Sequence, residues 1–164
     1  MRVLSRILLP FVLLPGLLVG GCCNCGKTEK NTYPPTVISI SEGGGVTGQF
    51  VGYTIDAEGN VYAWRGFAAS KRDSSRVGAL DSDAYRDLLH TTYQCNLPEV
   101  RQYETGNMTA TLEVSSGELL YRFAWPGLWR ASPSTPEQLR PLIEKLEILI
   151  DSLRSTQPID SDIP

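Results

Sequence analysis

The chain has 164 residues, which fits one domain, and 41% of them are apolar. Its 15 basic and 18 acidic residues give a net charge of −3, which argues against a basic surface that binds nucleic acid. The composition excludes collagen and coiled coils, and the sequence lacks the second long apolar segment of a polytopic membrane protein.

The first 21 residues have the features of a bacterial export signal. Arg2 and Arg6 precede an apolar segment at 7–19 that is shorter than the roughly 20 residues of a membrane-spanning helix. We therefore interpret residues 1–21 as a signal peptide.

The segment Val19-Gly20-Gly21-Cys22 resembles the lipobox of bacterial lipoproteins, in which the chain is cut before a cysteine whose thiol is acylated. The resemblance implies that Cys22 carries lipid and anchors the protein to a membrane through its acyl chains. Cys23 stands where an aspartate would favour the inner membrane, so the resemblance implies the outer membrane of the cell envelope. The alternative is an ordinary secretory signal with an incidental cysteine.

The residues after the lipobox divide into a tether, a domain and a tail. Residues 22–35 are mostly polar and end in Pro34-Pro35, which predicts a flexible tether. Residues 36–155 carry the regular apolar patterns and form one predicted domain, while 156–164 lack periodicity and are predicted to be disordered.

Cys23, Cys25 and Cys95 remain once Cys22 is acylated. A disulfide from Cys95 to Cys23 or Cys25 is one alternative, and free thiols are the other. A structural zinc site needs four ligands, and His90 is the only histidine of the chain. We therefore expect no metal and no cofactor.

The first half of the domain reads as three strands. Residues 36–41 alternate, the triplet Gly43-Gly44-Gly45 breaks the pattern, and 49–56 and 61–67 form a hairpin around a turn that contains Gly59. A short helix follows, capped by Asp81 or Ser82, with its inward residues Tyr85, Leu88 and Leu89.

The second half reads as another hairpin and a long helix. Residues 107–114 and 119–125 alternate on either side of a turn. Thr135, Pro136 and Gln138 form a capping-box pattern before the last helix. Its apolar stripe is Leu139, Leu142, Ile143, Leu146, Leu149, Ile150 and Leu153. The order β-β-β-α-β-β-α predicts an α+β fold, an antiparallel sheet of about five strands with the C-terminal helix on one face.

The candidate catalytic groups are few. Two arrangements could support catalysis: a Cys95–His90 dyad and an Asp83–Asp87 carboxylate pair. However, a histidine at the end of a helix and aspartates at its N-terminus also have purely structural roles. We expect no catalytic residues, so the chain is predicted not to be an enzyme.

Two segments are candidates for binding. The first is a loop that contains Gly43, Gly44, Gly45 and Thr47. It lacks the Lys of a phosphate-binding loop, so any functional role of this loop is predicted to be the binding of a partner. Trp125 and Trp129 flank a Pro-Gly turn, where they form either a contact with a protein or glycan or a cover over the end of the core.

The order of the landmarks GGGVTG, YTIDAEGNVYAWRG, TATLEVSSGELLYRF and TPEQLRPLIEKL is similar to that of emfourin-like domains and of related uncharacterised lipoprotein domains. Characterised emfourin-like domains inhibit thermolysin-like metalloproteases. The resemblance spans about residues 36–154 and implies protease inhibition as one form of a broader function. The sequence thus predicts a lipid-anchored protein with a non-catalytic domain that binds another envelope or secreted protein. The alternatives are a structural lipoprotein that binds peptidoglycan or glycan through its Trp residues and an enzyme that depends on His90.

Overall fold

The computed structural model describes residues 33–67, 73–130 and 132–156. Its six strands are β1 Thr36–Gly44, β2 Gln49–Ile55, β3 Asn60–Phe67, β4 Asp73–Ala79, β5 Met108–Ser116 and β6 Leu119–Pro126. The two helices are α1 Ser82–Gln94 and α2 Arg140–Thr156. Short 3₁₀ helices span Gly45–Thr47, Leu97–Glu99 and Glu137–Leu139. The predicted signal peptide, the lipidation site Cys22, Cys23, Cys25, and most of the predicted tether and tail lie outside the described residues.

The strands form one antiparallel sheet in the order β4-β3-β2-β1-β5-β6. Each consecutive pair of strands that is joined by a turn is adjacent in the sheet, and β1 lies between the two hairpins. The predicted α+β fold with an antiparallel sheet and a C-terminal helix is therefore confirmed, with six strands instead of about five.

The additional strand is β4, which the sequence pattern did not reveal. It is an edge strand, and its residues Asp73 to Arg76 are exposed, so no buried face imposes alternation on them. Val61 pairs with Gly78 and Tyr62 with Arg76, which leaves Val77 as the extra residue of a β-bulge. The bulge further breaks the period-2 pattern by which strands are recognised.

The core lies on one face of the sheet, between the central strands and the two helices. Ile38 pairs with both Ile55 and Val114, so three aliphatic side chains lie side by side on neighbouring strands. The helices add Tyr85, Leu88, Leu89, Leu142, Ile143, Leu146 and Ile150 to the same buried cluster. The predicted inward faces of both helices are therefore confirmed.

The two helices begin in different ways. Asp81 caps α1, because its carboxylate accepts hydrogen bonds from the backbone N–H groups of Asp83 (3.0 Å) and Ala84 (2.8 Å). The predicted capping box at Thr135 is wrong. A 3₁₀ turn precedes α2, with Pro136 as its N-cap, and the buried Thr135 Oγ1 has no hydrogen-bond partner among the described residues.

Candidate functional site

The structure brings the glycine-rich loop and the Trp segment together at one end of the sheet. Gly44 pairs with Met108 where β1 ends and β5 begins. The Gly45 N–H donates to the Asn107 carbonyl at 2.5 Å, and the Gly127 N–H donates to the Met108 carbonyl at 2.8 Å. We call this end of the sheet the distal end, and the opposite end, which holds Thr36 and Ser116, the proximal end.

The glycines of the loop have two different structural roles. Gly44 and Gly45 have φ values of 112° and 62°, in the region that glycine adopts most readily, so they shape the turn. Gly43 instead makes room for a ring: a methyl group there would lie 2.6 Å from Phe50 Cγ and 2.2 Å from the Gln49 carbonyl oxygen. Thr47 is exposed, and its Oγ1 accepts a hydrogen bond from the Gln49 N–H at 3.3 Å. Only part of the predicted binding loop therefore faces solvent.

Both indole rings of the Trp segment lie in the core. Trp125 is 0% exposed and Trp129 is 3% exposed. Of the two alternatives from the sequence, the structure therefore shows the one in which both rings cover the end of the core. Trp125 Nε1 has no hydrogen-bond partner among the described residues. Neither ring offers a face to a glycan or a protein, whereas Leu128, between them, is exposed.

Ion pairs hold this segment on the domain. The Trp129 N–H donates to the Glu42 carboxylate at 3.1 Å, and the Arg130 guanidinium lies 4.6 Å from the centroid of the Trp129 ring. Arg130 also donates two hydrogen bonds to the Asp151 carboxylate, at 2.9 and 2.8 Å. These bonds from Arg130 lower the pKa of Asp151, and the pKa of Arg130 is raised in turn. The segment is therefore fixed to β1 through Glu42 and to α2 through Asp151.

A group of exposed apolar side chains surrounds the distal end, and sequence reasoning missed most of it. We define the distal patch as Val46, Val51, Phe67, Met108 and Leu128, all of which are exposed. A methyl group on Gly45 would lie 3.8 Å from Met108 Sδ, and one on Gly48 would lie 4.0 Å from Phe67 Cδ1. Val51 pairs with Glu42, whose carboxylate binds the Trp129 N–H. The patch is thus assembled from separate segments by the sheet register.

The candidate catalytic groups do not converge. His90 is exposed, and its two ring nitrogens contact the Tyr33 hydroxyl (3.0 Å) and the Gln94 side-chain amide (2.9 Å). Cys95 is buried and forms no disulfide with any residue that the structure describes, and burial raises the pKa of its thiol. Neither ring nitrogen of His90 thus contacts the Cys95 sulfur.

The two aspartates of α1 are bound in different ion pairs. Asp83 accepts from Arg86 at 2.7 Å, and Asp87 accepts from Lys145 of α2. Asp83 therefore forms an ion pair on the surface of α1, and Asp87 forms one that joins α1 to α2. Within 33–67, 73–130 and 132–156, no group of three or more His, Cys, Asp or Glu residues is arranged to hold a metal ion.

The end of the predicted tether packs on the proximal end of the domain. The rings of Tyr33 and Tyr93 stack with centroids 4.7 Å apart and planes 16° apart. The Gly117 N–H donates to the Pro35 carbonyl at 3.2 Å, so this contact joins the segment to the β5–β6 turn. The chain therefore enters the domain beside the β5–β6 hairpin, at the opposite end from the distal patch.

A comparison with protein-family models found no match to this chain, and no curated protein shows significant similarity to it. None of the helices in the described part of the chain is long and apolar enough to cross a membrane.

Proposed function

We propose that this chain is a lipid-anchored protein of the bacterial envelope whose domain binds another protein, without catalysis, through the distal patch. The observation that carries the proposal is the convergence of five exposed apolar side chains from separate segments at one end of the sheet. The lipobox at Cys22 supports the membrane anchor. The partner would be an envelope or secreted protein.

The composition of the distal patch favours a protein partner. Scattered apolar residues are normal on a protein surface, whereas a cluster rimmed by polar groups is typical of an interaction site. Burying a partly exposed aliphatic or aromatic side chain is worth about 1 kcal/mol, so the five together provide several kcal/mol before the costs of association. Met108 and Phe67 are also residue types enriched at interfaces.

The orientation that a lipid anchor would give the domain relative to the membrane supports the same proposal. β1 has nine residues and therefore separates the proximal end from the distal end by about 27 Å. A lipid on Cys22 would hold the end at which Tyr33 packs, and the distal patch would face away from the bilayer. An outer-membrane anchor would then present the patch to proteins in the periplasm or at the cell surface.

Protease inhibition is a specific form of this proposal and rests on the resemblance to emfourin-like domains. Val46 lies between loop glycines and is fully exposed, as a side chain that enters a partner's cleft would be. The glycan alternative depended on Trp125 and Trp129, and their burial removes the feature that favoured it.

Site-specific photocrosslinking in native envelopes tests the patch. A photoreactive amino acid at Val46 or Leu128 should give a discrete protein adduct, and the same amino acid at Ile148 should not. Ile148 is an equally suitable control because it is also exposed and aliphatic but lies on α2. Equal adduct patterns at the three positions would contradict a binding site at the distal end.

Two further measurements separate the parts of the proposal. Mass spectrometry of the native product should find acyl chains on Cys22, and their absence would refute the anchor. Addition of the purified domain to a thermolysin-like protease should reduce activity if the partner is such a protease, and Val46→Asp should abolish that effect. Full protease activity would refute inhibition while leaving the binding surface to the crosslinking result.

A further inference from the structure

The tip of the β5–β6 hairpin exposes two adjacent leucines. Leu119 is 58% exposed and Leu120 is 51% exposed. Leu119 pairs with Ser116 and Leu120 with Ser115, and successive strand residues point to opposite faces. A protein that lay against one face of the sheet would cover only one of these leucines, whereas an apolar layer entered by the tip would cover both.

The tip lies where the chain that leads to Cys22 meets the domain. Tyr33 stacks on Tyr93, and the Tyr93 hydroxyl is 2.6 Å from Ser116 Oγ at the end of β5. Eleven residue steps separate Cys22 from Tyr33, so this part of the chain spans at most about 40 Å. The distal end lies about 27 Å farther along the sheet, so the tip belongs to the end of the domain that is nearer to an anchor on Cys22.

The other groups at the tip fit a shallow position at the membrane surface. Tyr93 is exposed, and tyrosine is enriched where a bilayer meets water because its ring is apolar and its hydroxyl is polar. Arg122 donates to Glu113 at 3.1 Å, so this pair adds no net charge. Glu118 is exposed in the turn and would remain among the headgroups, which favours zwitterionic over anionic lipid.

We propose that Leu119 and Leu120 form a second contact with the membrane, in which the β5–β6 tip enters the interfacial layer and orients the domain with its distal patch outward. This inference rests on the proposed lipid anchor. The occupant is the lipid surface, and the contact is reversible, because two leucines provide far less apolar area than an acyl chain does.

The test uses the mature, acylated full chain in phosphatidylcholine–phosphatidylethanolamine vesicles. A photoreactive amino acid replaces Leu120, or Val46 in the distal patch as the control, and lipid adducts are measured by mass spectrometry. We expect at least about fivefold more lipid adduct at position 120 than at position 46, since the tip enters the interfacial layer. Equal yields, or adducts at position 120 only to a second protein chain, would overturn the proposal.

Hydrogen exchange gives an independent readout. In vesicles, the backbone amides of residues 118–121 should exchange at least about threefold more slowly than in the unacylated chain in solution, with no change at 45–48. Leu119→Ser/Leu120→Ser should remove that protection while Cys22 remains acylated. A chain without acyl groups would refute the anchor itself, whereas an acylated chain with no protection at the tip would refute only the second contact.

Discussion

Gly52 lies directly opposite Trp64 in the β2–β3 ladder, and the indole ring occupies the space that a side chain at position 52 would take. A methyl group on Gly52 would lie 2.8 Å from Trp64 Cζ2 and 2.4 Å from the Ile40 carbonyl oxygen. Trp64 is buried although it points away from the helices. The absence of a side chain at Gly52 thus leaves the space that this ring occupies.

Gly52→Ala should therefore lower the free energy of unfolding by about 2–3 kcal/mol, because both the ring and the β1 backbone must move. Gly78→Ala is the matched control, since a methyl group there meets only the end of the flexible Leu153 side chain, at 2.9 Å. The control should lose about 1 kcal/mol or less. Urea denaturation measures both, and equal losses would contradict the role of Gly52.

The beginnings of the two helices should respond differently to mutation. Asp81→Ala should cost about 1 kcal/mol of stability, because the N–H groups of Asp83 and Ala84 lose their acceptor. Thr135→Val should leave the stability unchanged or raise it, because the buried Thr135 Oγ1 has no hydrogen-bond partner among the described residues. Thermal and urea denaturation measure the stability of both variants. A comparable loss of stability in Thr135→Val would show that Thr135 does cap the helix.

The turn between β2 and β3 should make stability depend on acid pH. Burial raises the pKa of Asp56, but hydrogen bonds from the Asn60 side chain and from the Asn60 and Glu58 N–H groups outweigh it, so the pKa lies below the ordinary value of an aspartate. The folded state therefore binds this proton more weakly than the unfolded state does. The resulting stability is present above the unfolded pKa of about 3.9 and is lost as the pH falls through the folded pKa.

Asp56→Asn isolates this contribution, because Asn keeps an acceptor oxygen but does not titrate. The wild type should be more stable than the variant by about 1 kcal/mol at pH 7, and the difference should shrink below about pH 4. Urea denaturation of both proteins across pH 2–7 provides the comparison. A difference that stays constant over this range would show that the charge of Asp56 does not stabilise the turn.

Cys95 should be almost unreactive in the folded protein. It is buried and its pKa is raised by burial, so little thiolate is present or accessible near neutral pH. In a variant with Cys22, Cys23 and Cys25 replaced by Ser, labelling by a thiol reagent should be at least about 100-fold slower than in guanidinium. A non-reducing mass measurement on the wild type completes the test, since a disulfide to Cys23 or Cys25 would contradict a free Cys95.

Local patterns in the sequence predicted the elements that have one buried and one exposed face. The stripe of α2 and the alternation of β5 are of this kind. The N-cap of α1 was predicted as Asp81 or Ser82 because a cap depends on neighbouring residues alone, and the structure has Asp81. β4 was missed because its polar residues are equally common in an edge strand and in a loop. Thr135 was misjudged because the 3₁₀ turn after Pro136, and not the capping pattern, determines where α2 begins.

The candidate site depended on information that local patterns lack. Gly45 and Met108 are far apart in the sequence, and only the β1–β5 register makes them neighbours. The sequence drew attention to Trp125 and Trp129 because aromatic residues are common at interfaces, but the same rings also fill cores. The exposed apolar side chains at this end of the sheet include Leu128 and Val46, and neither residue type stands out in the sequence.

The two borders of the sheet limit how copies of this protein can meet. Gln102 and Glu104 occupy the outer side of β6 by bonding to the Ala124 backbone, and β4 presents Asp73, Ser74 and Arg76 along the other border. The polar side chains along β4 and the segment bonded to Ala124 on β6 oppose the pairing of another strand at these places. Crowding many such molecules onto a shared surface should thus leave each one a separate unit, free of fibrous stacking.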